Sequence, residues 1–116
     1  MAYVGDFAPW HVPGETKPYS VDFTAPLAPS DTIASVTADL AVAPVQPQGF
    51  TGTDPTPGSW LVGVPSFSGA VCAQLVGGAM PGGLQPGVVY RLSFTVVTTG
   101  GRTLVSYAHI LCGALN

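Results

Sequence analysis

The chain has 116 residues and a formal net charge of −3, and only 8% of its residues are charged, whereas globular domains average about 25%. Its three Lys and Arg residues are too few to neutralise several phosphates, which argues against nucleic-acid binding. The length fits one domain with a single core. Because the chain also holds 15 Gly and 12 Pro, helices are disfavoured, and the composition predicts an all-β protein.

The first sixteen residues show no periodic pattern but contain three aromatic side chains, Tyr3, Phe7 and Trp10. We therefore assign residues 1–16 to an N-terminal arm and residues 17–116 to the domain that follows. A terminus is ordered only when it is tied down, so the arm packs either along its own domain or onto a neighbouring subunit. The arm lacks the basic start and apolar stretch of a secretory signal, and we expect no export.

The first half of the domain predicts two strands and one long loop. Residues 19–23 alternate between polar and apolar side chains, and two prolines in residues 25–31 end that strand. Residues 33–42 form a second strand. Residues 43–58 contain four prolines and three glycines, and connections of this length are typical of functional or poorly ordered segments.

The middle of the chain predicts two more strands, residues 60–64 and 67–76, separated by a turn at Pro65, and then a Gly-rich loop over residues 76–87. No charged residue lies between Asp54 and Arg91. Frequent Gly and Pro interrupt this charge-free run, so it contains no apolar stretch long enough to span a membrane. We expect no membrane partner.

The last two strands differ in pattern. Residues 88–96 alternate between apolar and polar side chains, which indicates a half-buried strand. A TTGG turn leads into residues 104–112, which are apolar on both faces, because Val105, Tyr107 and Leu111 lie opposite the other apolar side chains. A free domain seldom leaves such a face in water, so the arm or a neighbouring copy must cover it. Six or seven short strands with turns between them predict a β-sandwich.

Cys72 and Cys112 both fall in predicted strands. They are either small core residues or a disulfide between two sheets. The lack of an export signal favours free thiols.

The residues provide no set for catalysis or for metal and cofactor binding. His11 and His109 are the only histidines, and neither belongs to a spacing typical of a nucleophile–base pair or of a metal site. We expect no enzyme activity and no cofactor. Trp10 or Trp60 would be the stacking residue if the domain bound a sugar, but a lone Trp that opens a strand is more typical of a core.

Two stretches of the domain carry short motifs. In residues 19–42 an aspartate-aromatic pair, a leucine, and an acidic residue two before an isoleucine lead into a Ser/Thr-rich strand. The residues of this motif are Asp22, Phe23, Leu27, Asp31, Ile33, Ser35 and Thr37. In residues 87–110 a Gly-x-x-Tyr strand leads to a threonine turn and Gly-Arg. The residues of this motif are Gly87, Tyr90, Thr98, Gly101 and Arg102. Both stretches resemble small tailed-bacteriophage virion structural proteins.

The resemblance implies an immunoglobulin-like β-sandwich of about seven strands in a virion structural protein without catalysis. The chain departs from the usual pattern in its aromatic-rich arm, in Ala38 where a tryptophan is common, and in the loop at 43–58. The arm and the second apolar face lead us to expect a capsid decoration or cement protein. Such a protein is assembled in the host cytoplasm and binds the major capsid protein and other copies of itself at the capsid surface.

The contact residues that we expect are Tyr3, Phe7, Trp10, Val105, Tyr107 and Leu111. Two alternatives stay open: a tail, neck or head-fibre component, and an adhesion or carbohydrate-binding module.

Overall fold

The computed structural model describes residues 2–6, 11, 15–24, 27, 30–44, 46, 50, 53–77, 84–85 and 87–113. In this part of the chain it contains seven strands and one short 3-10 helix, Pro57–Trp60. The strands are β1 Ala2–Asp6, β2 Thr16–Asp22, β3 Ile33–Val42, β4 Leu61–Ser68, β5 Val71–Gly77, β6 Val89–Thr98 and β7 Thr103–Leu111. Across the described ranges, no helix has the length and apolar character needed to cross a membrane.

The strands form two sheets that pack face to face. One sheet has the order β1-β7-β6-β3 and the other β2-β5-β4. All neighbouring strands are antiparallel except β1, which runs parallel to β7. The prediction of an all-β sandwich of about seven strands is confirmed.

The core lies between the sheets because each strand presents alternate side chains to it. In β6 the inward residues Tyr90, Leu92, Phe94 and Val96 are fully buried, as the alternation over residues 88–96 predicts. From the facing sheet, β2 and β5 contribute another set of buried apolar side chains. These are Tyr19, Val21, Cys72 and Val76.

The turn predicted at Pro65 is wrong. β4 continues through Pro65 to Ser68, and the chain reverses after it, at Gly69 and Ala70. Proline lacks an N–H for the ladder and is tolerated on an edge strand. Among the described strands β4 pairs with β5 alone, so it is an edge strand. A local signal for a turn was therefore overridden by the position of the strand in the sheet.

The pairing of β4 with β5 is irregular around this proline. The register shifts between Val62 and Ser66, and Gly63 has a φ of 71°. Gln74 of β5 is buried, and its side-chain amide donates to the carbonyl oxygens of Val62 at 3.1 Å and Gly63 at 3.3 Å. A side chain thus replaces ladder hydrogen bonds where the register shifts.

The first strand lies along its own domain. β1 adds to the edge of β7, with Tyr3 opposite Tyr107. Further along, the His11 N–H donates to the carbonyl oxygen of Leu111 at 2.9 Å, and the Gly113 N–H donates to the carbonyl oxygen of His11 at 3.0 Å. Of the two arrangements open for the arm, these residues adopt packing on their own domain.

The loop predicted for residues 43–58 is attached to the core where the structure describes it. The Gln46 side chain donates to the carbonyl oxygen of Val89 and accepts from its N–H, both at 2.9 Å. Gln46 therefore pairs with the start of β6 much as a neighbouring strand would.

Candidate contact surfaces

The contact row predicted on β7 lies on the outer face of the four-stranded sheet. Val105, Tyr107 and Leu111 share this face, and all three are half-buried. The guanidinium carbon of Arg91 lies 4.0 Å from the centroid of the Tyr107 ring, and the His109 ring lies 5.8 Å from it. The second apolar face of β7 is thus partly covered by neighbours within the same sheet.

The other predicted contact residues belong to the N-terminal arm. Tyr3 is paired with Tyr107 by strand register. Phe7 and Trp10 lie outside the described residues. The structure therefore brings together the three positions on β7 and places the Tyr3 backbone beside them.

The most exposed apolar side chains lie on the opposite sheet. Six large hydrophobic residues of the described part are at least 40% exposed, and all but Val97 belong to β4 and β5. We name four of these residues the β4–β5 surface, and its members are Val62, Val64, Val71 and Leu75. Phe67 is not a member, because it is paired with the core residue Cys72 and so lies on the other face of the sheet. Val62 and Leu75 are direct cross-strand partners, so their side chains share one face of the sheet.

A groove at one end of the sandwich adjoins this surface. It has a volume of about 380 Å³ and lies where the segment before β3 meets the β4–β5 turn. We name it the end groove, and its lining residues are Leu27, Asp31, Thr32, Ile33, Phe67, Gly69 and Ala70. A second concavity, of about 330 Å³, shares Asp31 and is otherwise lined by Ser30, Thr99, Gly100 and Arg102.

Asp31 separates the two concavities and organises the turn between β6 and β7. Its Oδ1 accepts hydrogen bonds from the Thr32 N–H at 3.0 Å, the Thr99 hydroxyl at 3.1 Å and the Gly100 N–H at 2.9 Å. Hydrogen bonding, first from the Thr98 hydroxyl, lowers the pKa of this carboxyl. Asp31 is therefore a negative charge at neutral pH.

Asp54, by contrast, is enclosed by its donors. It is 8% exposed and accepts from the Thr56 N–H at 2.9 Å, the Trp60 indole N–H at 2.9 Å and the Tyr90 hydroxyl at 2.6 Å. Burial, together with the hydrogen bond to Asp54, raises the pKa of Tyr90. Trp60 packs against the core, so its indole serves the fold, in line with the core interpretation of this residue.

The imidazole of His11 is also committed to the fold. It is buried, and its Nε2–H donates to the carbonyl oxygen of Glu15 at 3.0 Å. Its Nδ1 therefore accepts from the Tyr19 hydroxyl, at 2.6 Å. Burial lowers the pKa of His11, so the ring is neutral and holds the arm against β2.

Cys72 and Cys112 are free thiols, and both are fully buried. Burial raises the pKa of each to about 11, so both stay protonated and act as small apolar residues. Among the described residues, no group of three or more His, Cys, Asp and Glu side chains is placed to hold a metal ion.

Sequence reasoning missed the β4–β5 surface and the end groove. One signal for the surface was present, since no charged residue occurs between Asp54 and Arg91. We related this uncharged run only to membrane spanning. An uncharged strand pair on the outside of a sandwich also indicates contact with protein. The groove had no such signal, because its walls come from segments far apart in sequence.

These observations define a small β-sandwich with exposed apolar side chains on its surface. A family model described as podophage GP4 fiber-tail adaptor protein gp77 matches residues 12–110, and the chain belongs to this family. No curated protein and no solved structure matches the chain significantly.

The family makes the chain a bacteriophage structural protein and a component of the virion, as the resemblance implied. It does not support capsid decoration, our main expectation. A tail component, one of the alternatives, fits the family better.

Proposed function

We propose that this chain is a fibre-tail adaptor, a tail component that joins fibre protein to the tail of a phage particle. The observation that carries the proposal is the family match, which covers residues 12–110 and thus nearly all of the sandwich. An adaptor must bind at least two virion components at once. Its role is structural and requires no chemical step.

The surfaces of the sandwich suit this role. The β4–β5 surface and the outer face of β7 belong to different sheets, so two partners have room to bind on opposite sides of the domain. The β4–β5 surface is exposed and uncharged, and burial of such area provides the main favourable term in protein association. The half-buried row on β7 stays a proposed second contact.

The copy number of the protein in purified virions tests the proposal. We expect quantitative mass spectrometry to find few copies per particle, because a tail has one attachment point per head. After particles are split into heads and tails, the protein is expected with the tails, and the major capsid protein provides the internal reference for heads. Copies at the level of the major capsid protein, recovered with the heads, would instead establish capsid decoration and overturn the proposal.

A further inference from the structure

We propose that the end groove binds a segment of another virion protein in which a large apolar side chain lies next to a Lys or Arg. The apolar side chain enters the groove and the cation faces Asp31. The inference rests on the proposed function only in taking the bound segment from a virion protein. The chemistry of the site follows from the residues that line the groove.

The walls of the groove match an apolar side chain. Leu27 and Ile33 form one side and pack against the core, and Phe67 forms the other side while remaining 41% exposed. An aromatic side chain left this accessible in a concave site is a typical anchor for a partner. Contact there would bury the accessible part of the Phe67 ring.

The volume of the groove fits a single side chain and is too small for a helix or a strand. Its volume of about 380 Å³ lies near the lower end of the range of about 300–1,000 Å³ for small-ligand pockets. Gly69 and Ala70 line the groove at the β4–β5 turn, and the carbonyl oxygen of Ala70 accepts a hydrogen bond from the Phe23 N–H at 2.8 Å. The groove therefore has room for one side chain, and the Ala70 carbonyl oxygen already has a hydrogen-bond partner.

The charges around the groove favour a cation. The lining of the groove includes one charged residue, Asp31. The cation Arg102 lines the other concavity and not the groove. Asp22 ends β2 opposite Val71, at the same end of the sandwich, and hydrogen bonds from Thr24 lower the pKa of its carboxyl. Two ionised carboxylates beside an uncharged surface attract a basic group and disfavour an acidic one.

A titration with three aromatic probes that differ in charge tests the inference. Phenethylammonium carries a cation, phenethyl alcohol is neutral and phenylacetate carries an anion, while each has one phenyl ring on a short chain. Binding to the whole protein is followed by amide NMR shifts. We expect the largest shifts at Thr32, Gly69 and Ala70, with the cation bound about threefold more tightly than the alcohol, the scale of an exposed ion pair, and the anion bound most weakly.

Two variants and a control separate the apolar and charged parts of the site. Asp31→Asn is expected to abolish the preference for the cation over the alcohol, and Phe67→Ser to weaken all three probes. Asp39→Asn removes an exposed carboxylate from β3, outside the groove, and is expected to leave the three affinities unchanged. High salt should reduce the preference in the wild-type protein.

Equal affinity of the wild-type protein for the three probes would overturn the inference, as would shifts confined to residues outside the groove. This result needs no variant, so it holds even if Asp31→Asn loosens the β6–β7 turn. A negative result with the probes would not contradict the proposed adaptor role, because that role is tested by the copy number of the protein in virions. Recovery with the heads would refute the adaptor role without changing the probe result.

Discussion

Asp54 is a carboxylate at the edge of an apolar core, and its three donors explain how it is accommodated. A buried charge is costly unless hydrogen bonds replace its lost water. The Tyr90 hydroxyl is the link in this network, because it donates to Asp54 at 2.6 Å and accepts from the Gln85 N–H at 2.7 Å. One phenol thus attaches two separate loops to β6.

Tyr90→Phe is expected to lower the free energy of unfolding by about 1–3 kcal/mol, because it removes one donor to the buried Asp54 carboxylate and the hydroxyl that accepts from the half-buried Gln85 N–H. Urea denaturation of the two proteins measures the difference. Thr37→Val is the control, since it removes an exposed hydroxyl from β3, and it should change stability little. Equal effects of the two substitutions would show that the Asp54 network does not support the fold.

Several residues that carried the resemblance have physical roles in the structure. Asp31 accepts from the backbone and hydroxyl groups of the TTGG turn, and the Asp22 carboxylate accepts from the N–H and hydroxyl of Thr24. Gly101 has a φ of 85° in the same turn, a conformation that favours glycine. The sequence marked these positions, but the partner that each one contacts became visible only in the fold.

At the scale of elements, the close approach of β2 to the end of β5 requires a glycine at position 77. Gly77 has a φ of 149° and lies opposite Thr16. A Cβ at this position would be 2.6 Å from the Thr16 Cα and closer still to the Glu15 carbonyl oxygen. Both neighbours are backbone atoms, so they cannot move aside without displacing β2.

Gly77→Ala is therefore expected to destabilise the protein by about 2 kcal/mol or more. Its thermal unfolding midpoint should fall clearly below that of the wild type. Gly58→Ala provides the matched control, because nothing lies within 4 Å of a Cβ at Gly58, and its midpoint should stay close to the wild-type value. A Gly77→Ala protein as stable as the control would mean that β2 shifts readily against β5.

At the scale of the whole molecule, two apolar surfaces lie on opposite sheets and differ in accessibility. The β7 row is half-buried, whereas Val62 and Leu75 are 40% and 44% exposed. Burial of apolar area stabilises a complex only where that area is exposed to water in the free protein. The β4–β5 surface is therefore the stronger candidate for the main contact with a partner.

Paired substitutions on the two surfaces compare them directly. We expect Val62→Ser with Leu75→Ser to remove the protein from virions assembled without the wild-type copy, and Val105→Ser with Leu111→Ser to leave most of its incorporation intact. Immunoblots of purified particles measure incorporation, and thermal unfolding of each variant verifies that it is folded. Loss only in the Val105 and Leu111 variant would place the main contact on the row predicted from sequence.

The sequence by itself determined the all-β class and the inward and outward faces of β6. These follow from alternation with a period of two and from the local conformational limits of Gly and Pro, which depend only on neighbouring residues. The tertiary structure alone decided that Pro65 lies inside an edge strand, that β1 pairs with β7, and that the open apolar surface is on β4 and β5. Each of these depends on which distant segments become neighbours, because pairing and burial are properties of the assembled sheets and not of any single stretch of chain.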